Sequence, residues 1–229
     1  MRAAAAILDA QGREALSSRS VSAAAGVQPP AIYRIFGDMQ GLLGAVASFG
    51  FGEYLAEKAA AAPESDSVDG LRCGWDLHIG FGLGHPAVYA LMYGQPGPGP
   101  AAQAAADALA ILRGLVERVA QAGRLAVDVD TAVGMIHAAG CGITLSLIAL
   151  PTDRRDLALA GKTREAILAA ITADAVPGSA AGDVSGSAAA RHAVALKATL
   201  AEGGAGADGL LTAGESLLLG EWLDRLAKA

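Results

Sequence analysis

The stretch Leu16-Ser-Ser-Arg-Ser-Val-Ser-Ala-Ala-Ala-Gly-Val-Gln-Pro-Pro-Ala-Ile-Tyr-Arg-Ile-Phe-Gly-Asp-Met-Gln-Gly-Leu-Leu43 decides how this chain is read. It spells two short helices joined by a glycine turn, with a third helix behind them. Ser17 is placed as the N-cap of a helix running to about Ala25, because its hydroxyl can accept from an unpaired backbone N–H at the helix start. Gly26, lacking a Cβ, can take the left-handed conformation that turns the chain, and Val27 is expected to bury behind it. Gln28 then opens a second helix, about Pro29 to Ile35, with Pro29 and Pro30 in the first turn, where their missing N–H groups cost nothing.

On that second helix Ile32 and Phe36 lie four apart and share the face expected to pack on Val21 and Ala24. Gln28, Pro29, Tyr33 and Arg34 fall on the other side. A helix presented this way can enter the DNA major groove, with Gln28 and Arg34 reaching base edges or phosphates and the Tyr33 hydroxyl a phosphate. Pro29 and Pro30 offer only apolar contact, for instance to a thymine methyl. Ser17, Ser18 and Arg19 open the preceding helix and complete the candidate DNA-binding set. The same spacing also fits a plain three-helix packing unit, since glycine turns between short helices occur in many folds. Such a unit gives no reason for Gln28, Tyr33 and Arg34 to point outward together.

The spacing Ala25-Gly26-Val27, Ile32-Tyr33-Arg34, Phe36 and Leu42-Leu43 resembles the N-terminal domain of TetR-type transcriptional repressors, over roughly the first 45 residues. Arg2 to Gln11 would be the first helix of that domain. The resemblance implies a homodimer that binds a palindromic double-stranded DNA operator and releases it when a small-molecule effector binds the other domain. There are two departures: Met39 stands where the family usually has a Lys, and no basic arm precedes the first helix. Both subtract from the salt-dependent, sequence-independent part of DNA affinity.

Composition points to an all-α fold. The chain has 229 residues, 53% of them hydrophobic but only 4% aromatic, so its apolar content is mostly Ala, Leu and Val, and β-branched alternation is nearly absent. The net charge of −6 excludes a protein that coats nucleic acid, and residues 1–50 carry four Arg against three acids. Cys73 and Cys141 are isolated thiols, which fits a reducing cytoplasm, and no signal peptide is apparent. The uncharged stretch Ala132 to Leu150 reads as a buried helix rather than a membrane span, since Gly134, Gly140, Gly142 and several polar residues interrupt it. Gly134, Ala138, Cys141 and Gly142 would form a small-residue face open to close helix approach.

Residues 1–50 are expected to form the helix-turn-helix domain and 51–229 an effector-binding and dimerisation domain, with 176–187 a linker and 188–229 additional helices. A long helix from about Asp38 to Ala62 should connect the two, followed by a turn and new N-cap at Pro63-Glu-Ser-Asp-Ser. Helices are then expected near Val68–Leu83, Pro86–Tyr93, Ala101–Ala122, Thr131–Leu150 and Arg154–Asp174, with a loop at Gly94–Pro100. The last two run about Ala188–Glu202 and Ala213–Ala227, the second opened by a Thr212/Glu215 capping box and striped by Leu217, Leu218, Trp222 and Leu226, which must dock somewhere.

Four of the ten aromatic residues, Trp75, Phe81, Tyr89 and Tyr93, fall close together with His78, His85 and Met92. With His137 and Thr144 as polar partners they form the candidate effector site, an apolar concavity with a few polar groups. The alternative is that these side chains only fill a core that Ala cannot. By the family resemblance, Thr131–Leu150 and Arg154–Asp174 would pair with their twofold mates as a four-helix bundle.

Other motifs fail on context. Gly204-Ala-Gly206-Ala-Asp-Gly209 has no preceding strand for a dinucleotide fold, and Gly161-Lys162-Thr163 lacks the first glycine of a phosphate loop, with Asp156 in its place. His137 and Cys141 share a helix face, and with Cys73, His78 and His85 they would permit zinc, yet no paired ligand motif is present. No catalytic set, metal or cofactor is expected. The competing functional reading is a helical small-molecule-binding protein or enzyme that no longer reads DNA.

Overall fold

The computed structural model describes residues 1–58, 66–94, 101–173, 186–202 and 211–227. All of its regular structure is helical, and among the described residues the sole β feature is an isolated bridge between Leu125 and Thr172. The helices are α1 Arg2–Gln11, α2 Ser18–Ala25, α3 Pro29–Phe36, α4 Met39–Lys58, α5 Ser67–Gly84, α6 Pro86–Tyr93, α7 Ala102–Gln121, α8 Val129–Ile148, α9 Leu157–Ile171, α10 Gly186–Glu202 and α11 Ala213–Ala227. The far end of the expected linking helix, the Gly/Pro loop after Gly94, most of the 176–187 linker and the Gly204–Gly209 motif lie outside the described residues. Gly161-Lys162-Thr163 lies within α9, so it forms no phosphate loop.

Two compact units emerge. The first comprises Met1–Pro63, Trp75–Ala110 and Gly140–Ala160; the second comprises Glu64–Gly74, Ile111–Ala139 and Gly161–Ala229.

In the first unit α1 packs on α2, α4 and α6, α2 on α3, and α4 on both α3 and α6. One apolar core runs through it, from Ala4, Leu8, Val21 and Ile32 through Leu42, Leu43 and Val46 to Phe81, Val88, Tyr89 and Met92. Local chemistry fixes the helix ends. Asp38 caps α4 by accepting the Gly41 N–H at 2.8 Å. A Cβ on Gly41 would lie 2.0 Å from the Phe36 carbonyl oxygen, so only glycine permits this approach of α4 to the end of α3. Arg2 pairs with Glu53 at 3.4 Å, and His85, at the N-cap of α6, lies 3.2 Å from the Asp9 carboxylate of α1.

In the second unit Asp66 caps α5 by accepting from the N–H groups of Val68 and Asp69, and it also receives Arg124 at 2.6 Å. Arg72 joins Asp69 and Glu165 at 2.7 and 3.0 Å. Arg124 and Arg72 thus each hold one carboxylate from a distant part of the chain, Asp66 and Glu165. The hairpin of α10 and α11 is held by its buried Ala193, Val194, Ala198 and Leu223 and by the ion pair of Lys197 with Asp224. The expected capping box is present: the Thr212 N–H donates to Glu215 Oε2 at 2.7 Å, and the Glu215 N–H donates to Thr212 Oγ1 at 3.3 Å.

Candidate nucleic-acid interface and aromatic cluster

The turn between α2 and α3 is built as its residues dictate. Ser17 accepts the Ser20 N–H at 3.0 Å, and Ser20 Oγ in turn accepts the Ser17 N–H at 2.9 Å, closing the start of α2. At the other end Gly26 takes the left-handed conformation, φ 66°. Gln28 is the N-cap of α3, with Pro29 and Pro30 in its first turn. Ile32 is buried and Phe36 half-buried against the same core as Val21.

Two side chains depart from expectation. Val27 is 42% exposed, because the left-handed turn at Gly26 carries it outward rather than behind the helix. Ala24 is also exposed, so Val21 and Ser22 supply the inner face of α2 instead.

Gln28, Pro30, Tyr33 and Arg34 are exposed and Pro29 half-buried. On a helix with its buried face at Ile32 and Phe36, Pro30 and Arg34 stand opposite the core and Tyr33 flanks them. The Tyr33 hydroxyl donates to Ser18 Oγ at 3.2 Å, which aligns the ring across the gap between α3 and the start of α2. Arg19 is exposed in that same first turn. Ile35, which sequence reasoning passed over, is 66% exposed beside them. It lies about 60° from Ile32 on the side away from Phe36, at the edge of the buried face, so helical periodicity alone gave no signal of its exposure. Met39 turns inward and packs against the core, where a Lys would present charge.

The second candidate group is drawn together by α5, α6 and the later turns of α8. Tyr89 is fully buried, and its ring packs on His78, Phe81 and Tyr93 at centroid separations of 5.3, 6.3 and 4.7 Å. Its hydroxyl lies 2.6 Å from His78 Nε2. Phe81 extends the cluster to His85 at 5.5 Å and to Phe51 of α4 at 5.3 Å. Thr144 is fully buried, donates to the Gly140 carbonyl at 2.7 Å and reaches the Tyr89 hydroxyl. Burial pushes the Tyr89 and Tyr93 phenols far above their ordinary range, with the Cys141 thiol adding to the rise, and burial raises Cys141 too. Met92 is buried alongside. Trp75 is buried, and its indole N–H has no hydrogen-bond partner among the described residues.

His137 belongs to the other compact unit, and its burial lowers its pKa. Phe51, Cys141 and Asp9 are the members sequence reasoning missed. Only Cys141 had a signal, four residues from His137 on the same helix. Among the described residues no group of three or more His, Cys, Asp or Glu is arranged to hold a metal.

One helix, Val129–Ile148, is long and apolar enough to cross a membrane by length and composition, and a third of that stretch is buried within the protein. Its outward stripe is Thr131, Gly134, Ala138, Gly142 and Ser146, so the expected buried helix is open along its small-residue face.

Comparison with known proteins agrees with this architecture. The pattern described as bacterial regulatory proteins, tetR family, matches residues 1–46. Among solved structures, a tetR family transcription regulator from Shewanella sp. PV-4 is 16% identical with a TM-score of 0.57, covering 75% of this chain and 95% of its own. The fatty acid degradation regulator FadR from Bacillus halodurans is 16% identical with a TM-score of 0.60, over 73% and 95% of the two chains. A protein with unknown function from Rhodococcus sp. RHA1 is 25% identical with a TM-score of 0.59, over 74% and 92%. No curated protein matches the sequence. The capped α2, the left-handed glycine and the proline-started α3 thus stand within the residues 1–46 that match the tetR family pattern, and the helical fold of the chain is like that of the solved structures named above.

Proposed function

We propose that the chain is a ligand-responsive transcriptional repressor that binds a palindromic operator as a homodimer and releases it when a small molecule occupies the aromatic cluster. The observation that carries this reading is the outer face of α3, where Gln28, Tyr33 and Arg34 stand exposed on a buried Ile32. Gln28 and Arg34 would reach base edges, Pro29 and Pro30 a thymine methyl, and Tyr33, Ser17, Ser18 and Arg19 the phosphates. The cytoplasm is where such a protein meets its DNA.

The homodimer reading is supported by the open small-residue stripe of α8 and by Leu157 and Leu159, exposed on α9, which need cover. Pairing these helices about a twofold axis sets two reading heads on one face of DNA, hence a palindrome. The effector reading is supported by Trp75, His78, Phe81, His85, Tyr89, Met92, Tyr93 and Thr144, which lie in one compact unit. The unpartnered Trp75 N–H would be satisfied by an effector that offers an oxygen acceptor. Release then follows from the effector binding one conformer better than the other.

The test is selection of duplexes from random DNA by the purified protein at low and moderate salt, with the Tyr33→Ala, Arg34→Ala double variant as control. The expected result is a palindrome recovered by the wild type alone. Equal recovery by the variant, or no enrichment at either salt, overturns the DNA-reading assignment. The second outcome would favour a small-molecule-binding protein, to which the inward Met39 already points.

A further inference from the structure

The stripe on α11 that the sequence requires to dock is uncovered. Leu217, Leu218, Trp222 and Leu226 are 70%, 44%, 52% and 47% exposed, while Leu223 faces inward in the α10–α11 hairpin. Apolar contact of this kind, centred on a tryptophan and rimmed by charge, marks an interaction surface rather than a solvated face. The structural neighbours are matched over 92–95% of their own lengths but only 73–75% of this chain. The residues after Ala173, which include this hairpin, make up about a quarter of the sequence.

Charge placement on α11 says what fits. At about 100° and 1.5 Å per residue, Leu218 and Leu226 lie about 40° to either side of Trp222, one turn before and one turn after it. Glu221 and Arg225 lie together along one edge of that face, 3.7 Å apart and both exposed. A second α11 laid antiparallel, with a twofold axis at Trp222, sets Leu218 against the partner's Leu226. Such an axis keeps each helix's charged edge on the same side, so Glu221 falls within about 3 Å along the axis of the partner's Arg225, and the reverse pair repeats it. A parallel pairing, whose twofold runs along the helices, sends the two charged edges to opposite sides of the seam, so neither opposite-charge pair forms. We propose that the open face of α11 is closed by the same face of a second copy of this chain, the two helices running antiparallel about Trp222.

This contact is separate from the α8 and α9 pairing, and it is tested on the full chain. Glu221→Arg and Arg225→Glu chains are compared with wild type by sedimentation over a concentration series, each alone and in equimolar mixture. Each pure variant is expected to dissociate at a concentration at least about tenfold higher than wild type, and the mixture, which restores both opposite-charge pairs, to reassociate. In a Cys73→Ser background, Leu218→Cys chains should cross-link to Leu226→Cys chains and not to themselves. Both charged positions are exposed, so helix content by circular dichroism should be unchanged. Unaltered association of both variants overturns the proposal, and so does self-cross-linking of Leu218→Cys chains.

Discussion

Gly82 sits where α5, α6 and α8 converge. A Cβ there would lie 2.2 Å from Thr144 Cγ2 and 2.9 Å from Tyr89 Cδ2, and both neighbours are fully buried with nowhere to retreat. Gly82→Ala is therefore expected to destabilise by about 1–3 kcal/mol through overpacking. That corresponds to a fall of roughly 2–4 °C in melting temperature per kcal/mol for a chain of this size. Thr144→Ser, which removes the offending methyl, should return part of the loss in the double variant. Thermal melts of the two single variants and the pair check this; an unchanged melt for Gly82→Ala would show that the cluster gives way. At this scale the sequence was most legible where one residue determines one bond. Ser17, Gly26, Asp66 and the Thr212/Glu215 pair each fix a helix end through their own side chain or backbone, and periodicity or turn chemistry could find them. Val27 was misread because burial beside a turn depends on the direction the turn takes.

Helices as units were legible in order and type, and their ends shifted by a few residues. α1 and α6 begin and end where the sequence places them, while α9 starts at Leu157 because Thr152–Arg154 forms a separate 3-10 turn. What an element packs against is a different matter, since an apolar stripe is written in the sequence but its cover is not. That is why α8 could be read as a buried helix with a small-residue face for another helix without showing which stripe the single chain leaves open, and why the α11 face was known before its occupant. The open α8 stripe gives a direct expectation. Ala138→Glu, at an exposed position of the single chain, should alter folding by no more than about 0.5 kcal/mol, yet bury an unpaired charge if α8 meets its twofold mate. In a Glu221→Arg background, which opens the α11 contact, Ala138→Glu should give monomers by sedimentation at concentrations where the Glu221→Arg chain alone is dimeric, with unchanged helix content. A variant that stays dimeric places the contact elsewhere.

For the molecule as a whole, acid is the sharpest probe. Asp66 is held below the ordinary carboxylate range by the Val68 and Asp69 N–H groups and by Arg124, and Glu165 by hydrogen bonds from Arg72 and Arg164. Hydrogen bonds from Thr131 lower Asp128 against the opposing effect of its burial. A depressed folded-state pKa means the unfolded chain binds more protons in that window, so stability rises with pH there. The contribution is complete above the ordinary carboxylate range and is lost as pH falls through the lowered folded values. Urea midpoints should accordingly drop between pH 5 and pH 3, and Asp66→Asn should flatten that dependence while lowering the midpoint at pH 7. A midpoint indifferent to pH in the wild type would show that these carboxylates are equally well bound when unfolded. Sequence could not supply this, because Arg124 and Arg72 meet their partners 58 and 93 positions away.

The chain has two tryptophans, and they stand in opposite surroundings: Trp75 is shut in beside the aromatic cluster and Trp222 is open on the terminal hairpin. Their emission should therefore separate by colour, blue for Trp75 and red for Trp222, and a water-borne quencher such as acrylamide should extinguish the red component first. The protein thus carries two unlabelled optical reporters. A small molecule entering the cluster would disturb the blue one, while anything that settles on the last helix would shield the red one.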